Sequence, residues 1–504
     1  MPNIAIVLDC GATNATVVAI DADGNVLASA SRPQAPVPQP GGPEGMLIWD
    51  LDEIWGKLAE GCLEVIANWS VPPDDIKGVT VTTFGADGAP VKRDGSLTYP
   101  IISWQCERCQ PQLKALEEQM DPYDIFAETG YLLIPFNTLL RFMWLRQNAP
   151  EALEEADTWL MTPGLLSQRL CGEPSLDPTI GGTMMAMNMA QREWSEKMLS
   201  VADLEPDFFP PWVEPGNVIG HVTEAAARET GLPVGTPVVA AGHDTQFAAV
   251  GSGARPGEAI LSSGTWEILM LRHQSYEPSR FAFEEGVLVE CDAERGLWNP
   301  QLLMMASGVL EWIGRHFYAD VERGQEAYER MIEEASKVAP GSDGVTILPS
   351  FVPETGPTKK HNTHGTILGL GITTSRAEVY RAALEGLCFQ LRHALEILSQ
   401  ATGFQAQGVR VVGGGSRNDL WNKIRADATD LPVTTIAQRD ATVLGAAMFA
   451  LIGAGTFASV AEAQRAMTSG ESVVEPSEDA AEAYADLYQR YRLAAPALEG
   501  FYKA

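Results

Sequence analysis

Two short strings rich in glycine and hydroxyl residues, Asp9-Cys10-Gly11-Ala12-Thr13-Asn14 and Leu261-Ser262-Ser263-Gly264-Thr265, carry the first chemical signal in this chain. Each follows an apolar run of β type and precedes another. Glycine in such a turn lets backbone N–H groups approach an anion closely, while Ser and Thr hydroxyls add hydrogen bonds. A phosphate is therefore the expected guest of Gly11, Thr13 and Asn14 in the first string and of Ser263, Gly264 and Thr265 in the second. A single string reads equally well as an ordinary hairpin turn. Recurrence in an equivalent context argues for two phosphate-cradling hairpins facing each other across a cleft.

The elements that must position these strings can be followed along the chain. Apolar runs at 4–8, 16–20 and 26–31 form a β-meander around the first string. Residues 33–43, rich in Pro, Gly and Gln, are a connecting loop, 49–67 has helical spacing, and 76–84 returns to strand pattern. Leu139, Phe142, Met143 and Leu145 form one core-facing helical stripe. A fresh strand at 237–241 places the domain boundary at 236/237. Beyond it, β runs at 258–261 and 266–271 flank the second string; helices follow at 301–317 and 375–399, then a strand at 409–412, Gly413-Gly414-Gly415 and a helix from Arg417. The parallel between halves predicts two duplicated α/β domains, 1–236 and 237–504.

With 504 residues the chain exceeds the size of one hydrophobic core, in keeping with two domains. Its formal net charge of -31 disfavours nucleic acid and anionic membrane surfaces as partners, yet permits a small phosphorylated ligand in a locally positive pocket. No apolar run is long enough for a signal peptide or a membrane span. Seven scattered cysteines, an odd number, suit reduced thiols in a cytoplasmic compartment. Cys106 and Cys109 form a C-x-x-C that no second pair completes as a zinc site. The sequence leaves open whether identical copies associate as a homo-oligomer.

Taken in order, Asp9-Cys10-Gly11-Ala12-Thr13, Phe136-Asn137-Thr138 with Arg141 and Trp144, Gly242-His243-Asp244, Ser263-Gly264-Thr265, residues 382–387, and 413–418 with 441–447 resemble the FGGY family of carbohydrate kinases over almost the whole chain. The resemblance implies a duplicated ribonuclease-H-like fold of the actin, hexokinase and Hsp70 ATPase type, with sugar mainly on the first domain and ATP mainly on the second. Segments 81–88, 101–104, 241–247 and 262–269 are most similar to the branch of the family acting on L-fuculose at C1. Kinases of L-rhamnulose or D-xylulose, or a regulatory ATPase of the same fold, are the alternatives.

A sugar hydroxyl attacking a γ-phosphoryl group needs a base within hydrogen-bond reach and positive charge on the phosphoryl oxygens. Asp244, at a strand-to-helix junction, is the expected base; its bland alternative is a helix cap. Adjacent His243 is a rival. Asp9, with Asp244, is expected to hold hydrated Mg²⁺. Gly413, Gly414, Gly415, Ser416 and Asn418 are placed against the nucleotide. Phe84, Asp87, Trp104, Arg108 and Asp244 are placed around the sugar, with Trp266 and Glu267 as further wall, because aromatic faces cover its apolar side while charged groups bind hydroxyls. One departure is Thr16, where many family members carry Arg. Charge stabilisation then falls to the metal and backbone, or to another cation such as Arg108 or Lys92.

Overall fold

Ile4-Ala5-Ile6-Val7-Leu8 is buried on both faces, as befits a central strand covered by helices on either side. In the computed structural model, which describes residues 3–68, 71–322, 324–352, 355–438 and 440–502, strand Ile4–Cys10 lies in a six-stranded sheet ordered Val218–His221, Pro237–Val239, Ile76–Thr83, Ile4–Cys10, Asn14–Asp21, Val26–Pro33. The last three form the antiparallel meander, and Ile4–Cys10, Ile76–Thr83 and Pro237–Val239 run parallel. The edge strand Val26–Pro33 alternates buried and exposed residues and turns Ala28 and Ala30 into a core shared with Leu58, Cys62 and Val65 of helix Leu51–Asn68.

The second sheet repeats this order. Trp298–Met305, Trp266–Met270 and Glu258–Ser263 form its meander, followed by parallel Gly408–Val412 and Val433–Thr435 and an antiparallel edge, Ser472–Val474. One extra strand, Leu288–Cys291, extends it beyond the meander. The fold is thus α/β, with two duplicated domains of the actin and hexokinase type.

Two expectations are corrected. Strand Pro237–Val239 pairs with Ile76–Thr83, so the boundary at 236/237 would cut the first sheet; the second sheet begins only at Glu258. Residues 301–305, expected to be helical, continue the buried strand Trp298–Met305, and the helix starts at Ser307. An unbroken apolar run such as Leu302-Leu303-Met304-Met305 fits either state, and pairing with Trp266–Met270 decides it.

Helices Asp244–Gly251 and Ala441–Gly453 cross beneath the first sheet, where Phe247, Leu444, Met448 and Leu451 share a core with Val7 and Ile20. A Cβ on Gly251 would stand 1.9 Å from the Ala441 carbonyl oxygen, so only glycine permits this approach. Helix Arg376–Thr402, which supports the second sheet, starts in a capping box of Ser375 and Glu378 and ends at Gly403 in the left-handed region. All seven cysteines are buried free thiols. Among the described residues no helix is long and apolar enough to cross a membrane.

Candidate active site

Strand Pro237–Val239 delivers the chain to Gly242, whose carbonyl accepts from Thr83 N at 2.9 Å, and helix Asp244–Gly251 follows at once. His243, not Asp244, holds the cap position, and its side chain caps nothing. The Asp244 carboxylate accepts from Thr245 N (2.6 Å) and Thr245 Oγ1 (3.1 Å) through Oδ1, and its side chain is 31% exposed. It reaches a cavity of about 290 Å³ lined from both halves of the chain, by Ala12, Phe84, Trp104, Tyr131, Phe136 and His243 on one side and by Leu288, Glu290, Gln301 and Leu303 on the other. Burial raises the carboxyl above the usual carboxylate range, and the neighbouring His243 pulls it back. A half-buried carboxylate of raised proton affinity is the chemistry a general base needs.

Ala86 bends the wall of this cavity. It sits at φ 67, a conformation unusual for a residue with a Cβ, and is held there by Thr183 Oγ1 on its N–H (2.8 Å) and by Thr138 Oγ1 (2.7 Å) and Arg141 on its carbonyl. The bend leaves Phe84 and Ala86 on the cavity but turns Asp87 inward. Asp87 is wholly buried, paired with Arg141 at 2.7 Å, and accepts from Trp49 Nε1 (2.6 Å) and Trp104 N (3.0 Å). Asp87 is therefore not a cavity wall as expected; it anchors Trp104, which is. Arg108 is likewise corrected: its guanidinium donates to Cys106 Sγ (3.1 Å), Tyr99 Oη (3.3 Å) and the Leu47 carbonyl (3.3 Å), lies over the Trp144 ring, and does not line the cavity.

Sequence reasoning missed a polar cluster on the cavity floor. Glu290 Oε2 accepts from Gln246 Nε2 at 2.5 Å and lies 3.0 Å from His243 Nδ1, while Oε1 accepts from Tyr131 Oη. Burial alone would lower His243, but the Glu290 carboxylate outweighs it and pushes the imidazole up to about 9. His243 was visible as a motif residue; nothing local marks Glu290, which lies on a strand otherwise reading as core.

The two phosphate-type strings close hairpin tips. Gly11 N donates to the Asn14 carbonyl (2.9 Å), and Gly264 N to the Trp266 carbonyl (2.8 Å). Thr13, Asn14, Gly264 and Thr265 are exposed. Ser263 is not: its hydroxyl is fully buried, donates to Glu267 and accepts from Arg425 Nη2, both at 2.8 Å. The expected phosphate contact of the Ser263 side chain is thereby corrected, and Glu267 leaves the proposed sugar wall for the same reason.

Gly264 and Thr265 line a second cavity of about 500 Å³ with Tyr328, Gly414, Gly415 and Arg417. Here Gly415 is needed for packing as well, because a Cβ would stand 2.0 Å from Ser263 Oγ. Ser416 Oγ donates to the Gly413 carbonyl (2.7 Å), and Asn418 turns inward, capping helix Asp419–Thr429 and donating to Tyr328 Oη (3.1 Å). Gly413, Ser416 and Asn418, all expected at the nucleotide, do not line the cavity; Asn418 instead places Tyr328, which does. Thr16 Oγ1 lies 2.9 Å from Ser31 Oγ, and Lys92 pairs with Glu155 on the surface. Neither Lys92 nor Arg108 supplies the cation expected at Thr16.

Asp9, the next-to-last residue of its strand, feels other carboxylates. Burial, then Asp440 and Asp244, raise its carboxyl well above the usual range. Negative groups gathered in this way suit a divalent cation, while no set of three potential ligands among the described residues could cage one. That donor set fits a magnesium ion retaining most of its water. Asp440, which caps helix Ala441–Gly453 through Val443 N (3.1 Å), had no sequence signal beyond its capping position.

Two duplicated halves, a carboxylate-bearing cavity shared between them and a glycine-lined cavity on the second define a two-substrate phosphotransferase. The chain belongs to the FGGY family of carbohydrate kinases, matching the N-terminal domain model over residues 4–251 and the C-terminal domain model over 259–454. It is 39% identical over 468 residues to the L-fuculokinase of Escherichia coli (strain K12), covering 92% of this chain and 94% of that one. The Autoinducer-2 kinase of the same strain is 27% identical over 504 residues, covering 96% and 92%. The crystal structure of xylulose kinase from Rhodospirillum rubrum superposes with a TM-score of 0.88 at 24% identity, over 99% of this chain and all of that one.

Proposed function

We propose that this carbohydrate kinase transfers the γ-phosphoryl group of ATP to the C1 hydroxyl of L-fuculose, giving L-fuculose 1-phosphate and ADP. The observation that carries the reading is the two-sided character of the shared cavity. Asp244, His243 and Gln301 offer polar groups to sugar oxygens, while Ile134, Phe136, Leu288 and Leu303 form an apolar side suited to the methyl group of a 6-deoxy ketose. The 39% identity to an L-fuculokinase supports the same choice.

In this mechanism Asp244 accepts the proton of the sugar C1 hydroxyl as its oxygen forms a bond to the γ-phosphorus and the bond to the ADP oxygen breaks. Trp104 and Phe84 cover the sugar and exclude water, the competing acceptor. The exposed tips at Thr13, Asn14, Gly264 and Thr265 bind the phosphates through backbone N–H and hydroxyl groups, and Tyr328, Gly414 and Arg417 hold the nucleoside. Asp9, with Asp244, would hold hydrated Mg²⁺, which when bound neutralises phosphate charge.

ADP release measured with L-fuculose, L-rhamnulose, D-xylulose and autoinducer-2 tests the reading. The highest kcat/KM is expected for L-fuculose. A tenfold preference for another sugar would replace the substrate and keep the kinase; ATP hydrolysis indifferent to every sugar would point to a regulatory ATPase.

A further inference from the structure

The floor of the sugar cavity is assembled from both domains at one point. Val289 N donates to the Gly130 carbonyl at 2.9 Å, and a Cβ on Gly130 would stand 2.3 Å from the Val289 carbonyl oxygen, so the second domain's outermost strand docks closely on first-domain backbone. This docking sets Glu290 beside Tyr131 and His243. Both carboxylate oxygens of Glu290 are then occupied by first-domain donors, Tyr131 Oη on one and Gln246 Nε2 with His243 Nδ1 on the other. Glu290 is 2% exposed, with each of its carboxylate oxygens already accepting from a first-domain side chain. The His243 ring, held at Nδ1 by Glu290, lines the cavity, and its Nε2 faces the Asp244 carboxylate as a long ion pair, 3.5 Å from Oδ1.

We propose that His243 is a sugar-specificity residue that binds, through Nε2, the acceptor oxygen on the carbon next to the phosphorylated one, and that Glu290 is the second-domain residue that positions it. Asp244 must hydrogen-bond the reacting hydroxyl, so a nitrogen 3.5 Å from its carboxylate stands beside the neighbouring carbon's oxygen. In a ketose phosphorylated at C1 that oxygen is the C2 carbonyl. A site built to hydrogen-bond one oxygen rejects analogues lacking it far more strongly than an apolar wall can. Glu290 makes this recognition depend on both domains, because His243 is clamped only while Leu288–Cys291 is docked at Gly130. The inference rests on the shared cavity being the sugar site.

The test is a set of acceptor analogues, each lacking a single oxygen, assayed as kcat/KM with the wild-type enzyme and with His243→Phe, Glu290→Gln and Glu290→Asp. Wild type should discriminate against the analogue lacking the C2 oxygen by about 10²-fold or more. His243→Phe should bring that ratio close to one while leaving the ratios for other positions intact. Glu290→Gln should lower the same ratio and raise the KM for sugar with little change in the KM for ATP, and Glu290→Asp should recover part of it. Loss of discrimination at every position alike, or a C2 ratio unchanged in His243→Phe, would overturn the proposal. Failure of wild type to phosphorylate any member of the series would instead overturn the sugar-site reading beneath it.

Discussion

Arg425 and Glu267 form an ion pair at 2.5 Å, with both side chains only 1% exposed, directly under the hairpin tip that lines the second cavity. Arg425 also donates to Ser263 Oγ, to the Gly415 carbonyl (3.3 Å) and to Asn422 Oδ1 (2.8 Å), and its guanidinium lies 3.8 Å from the centre of the Trp421 ring. One buried cation thus ties the phosphate-type tip to the glycine run. Removing it strands Glu267 as an unpaired buried charge. Arg425→Met should lower unfolding stability by about 3–5 kcal/mol in urea titration, and Arg425→Met with Glu267→Leu should recover much of that loss. A single variant as stable as wild type would mean that the pair has no structural role.

Asp244 offers a sharper chemical test. Among the described residues its carboxylate accepts hydrogen bonds from Thr245, with His243 Nε2 3.5 Å away, and Asn can keep the acceptor at that place without accepting a proton. Asp244→Asn should lose about 10²–10⁴-fold in kcat while ATP binding, followed by calorimetry, is retained. Near-normal turnover would remove Asp244 from the role of base.

Gly251 and Gly445 set the distance between the two crossing helices. A Cβ on Gly445 would stand 2.0 Å from the Phe247 carbonyl oxygen, mirroring the contact of Gly251 with Ala441. Both intruded-on atoms are backbone, so a methyl group can be admitted only by moving a helix. Alanine at either position should therefore destabilise by about 1–3 kcal/mol or more, despite its better helix propensity, and should lower Tm in a thermal melt. An alanine variant with unchanged Tm would show that the crossing has slack.

His393 links stability to pH. Burial, reinforced by Arg492, Lys360 and His361, pushes this imidazole down to about 3, below its ordinary value of 6.5. The folded protein therefore holds it neutral where the unfolded chain would protonate it. The unfolded state binds more protons between about 6.5 and 3, so the contribution of His393 is full above that window and is lost as pH falls through it. His393→Gln should flatten the fall in urea midpoint between pH 7 and pH 5 relative to wild type. An identical slope in both proteins would refute the buried neutral imidazole.

Much of the fold was legible because it is written in short-range pattern. The meander at 4–33 declares itself by alternating or unbroken apolar runs around turns, and the helix expected at 375–399 is found at Arg376–Thr402. Residues 301–305 were not legible, since a continuous apolar run has no distinguishing period. The strand at 237–239 was legible as a strand but not as a member of the first sheet, because pairing with Ile76–Thr83 joins residues some 160 positions apart.

The site divides along the same line. By itself the sequence determined the family, the two hairpin tips, Asp244 at its strand-to-helix junction and the aromatic pair Phe84 and Trp104, all of which depend on residue type and local spacing. Only the tertiary structure decided which way polar side chains turn. Asp87 is drawn inward by Arg141 and Trp49, Arg108 by Tyr99 and Leu47, and Ser263 by Arg425, each toward a partner distant in sequence. Glu290 enters the cavity only because its strand docks at Gly130. A buried polar group must find its hydrogen bonds somewhere, and where it finds them is set by elements that meet only on folding.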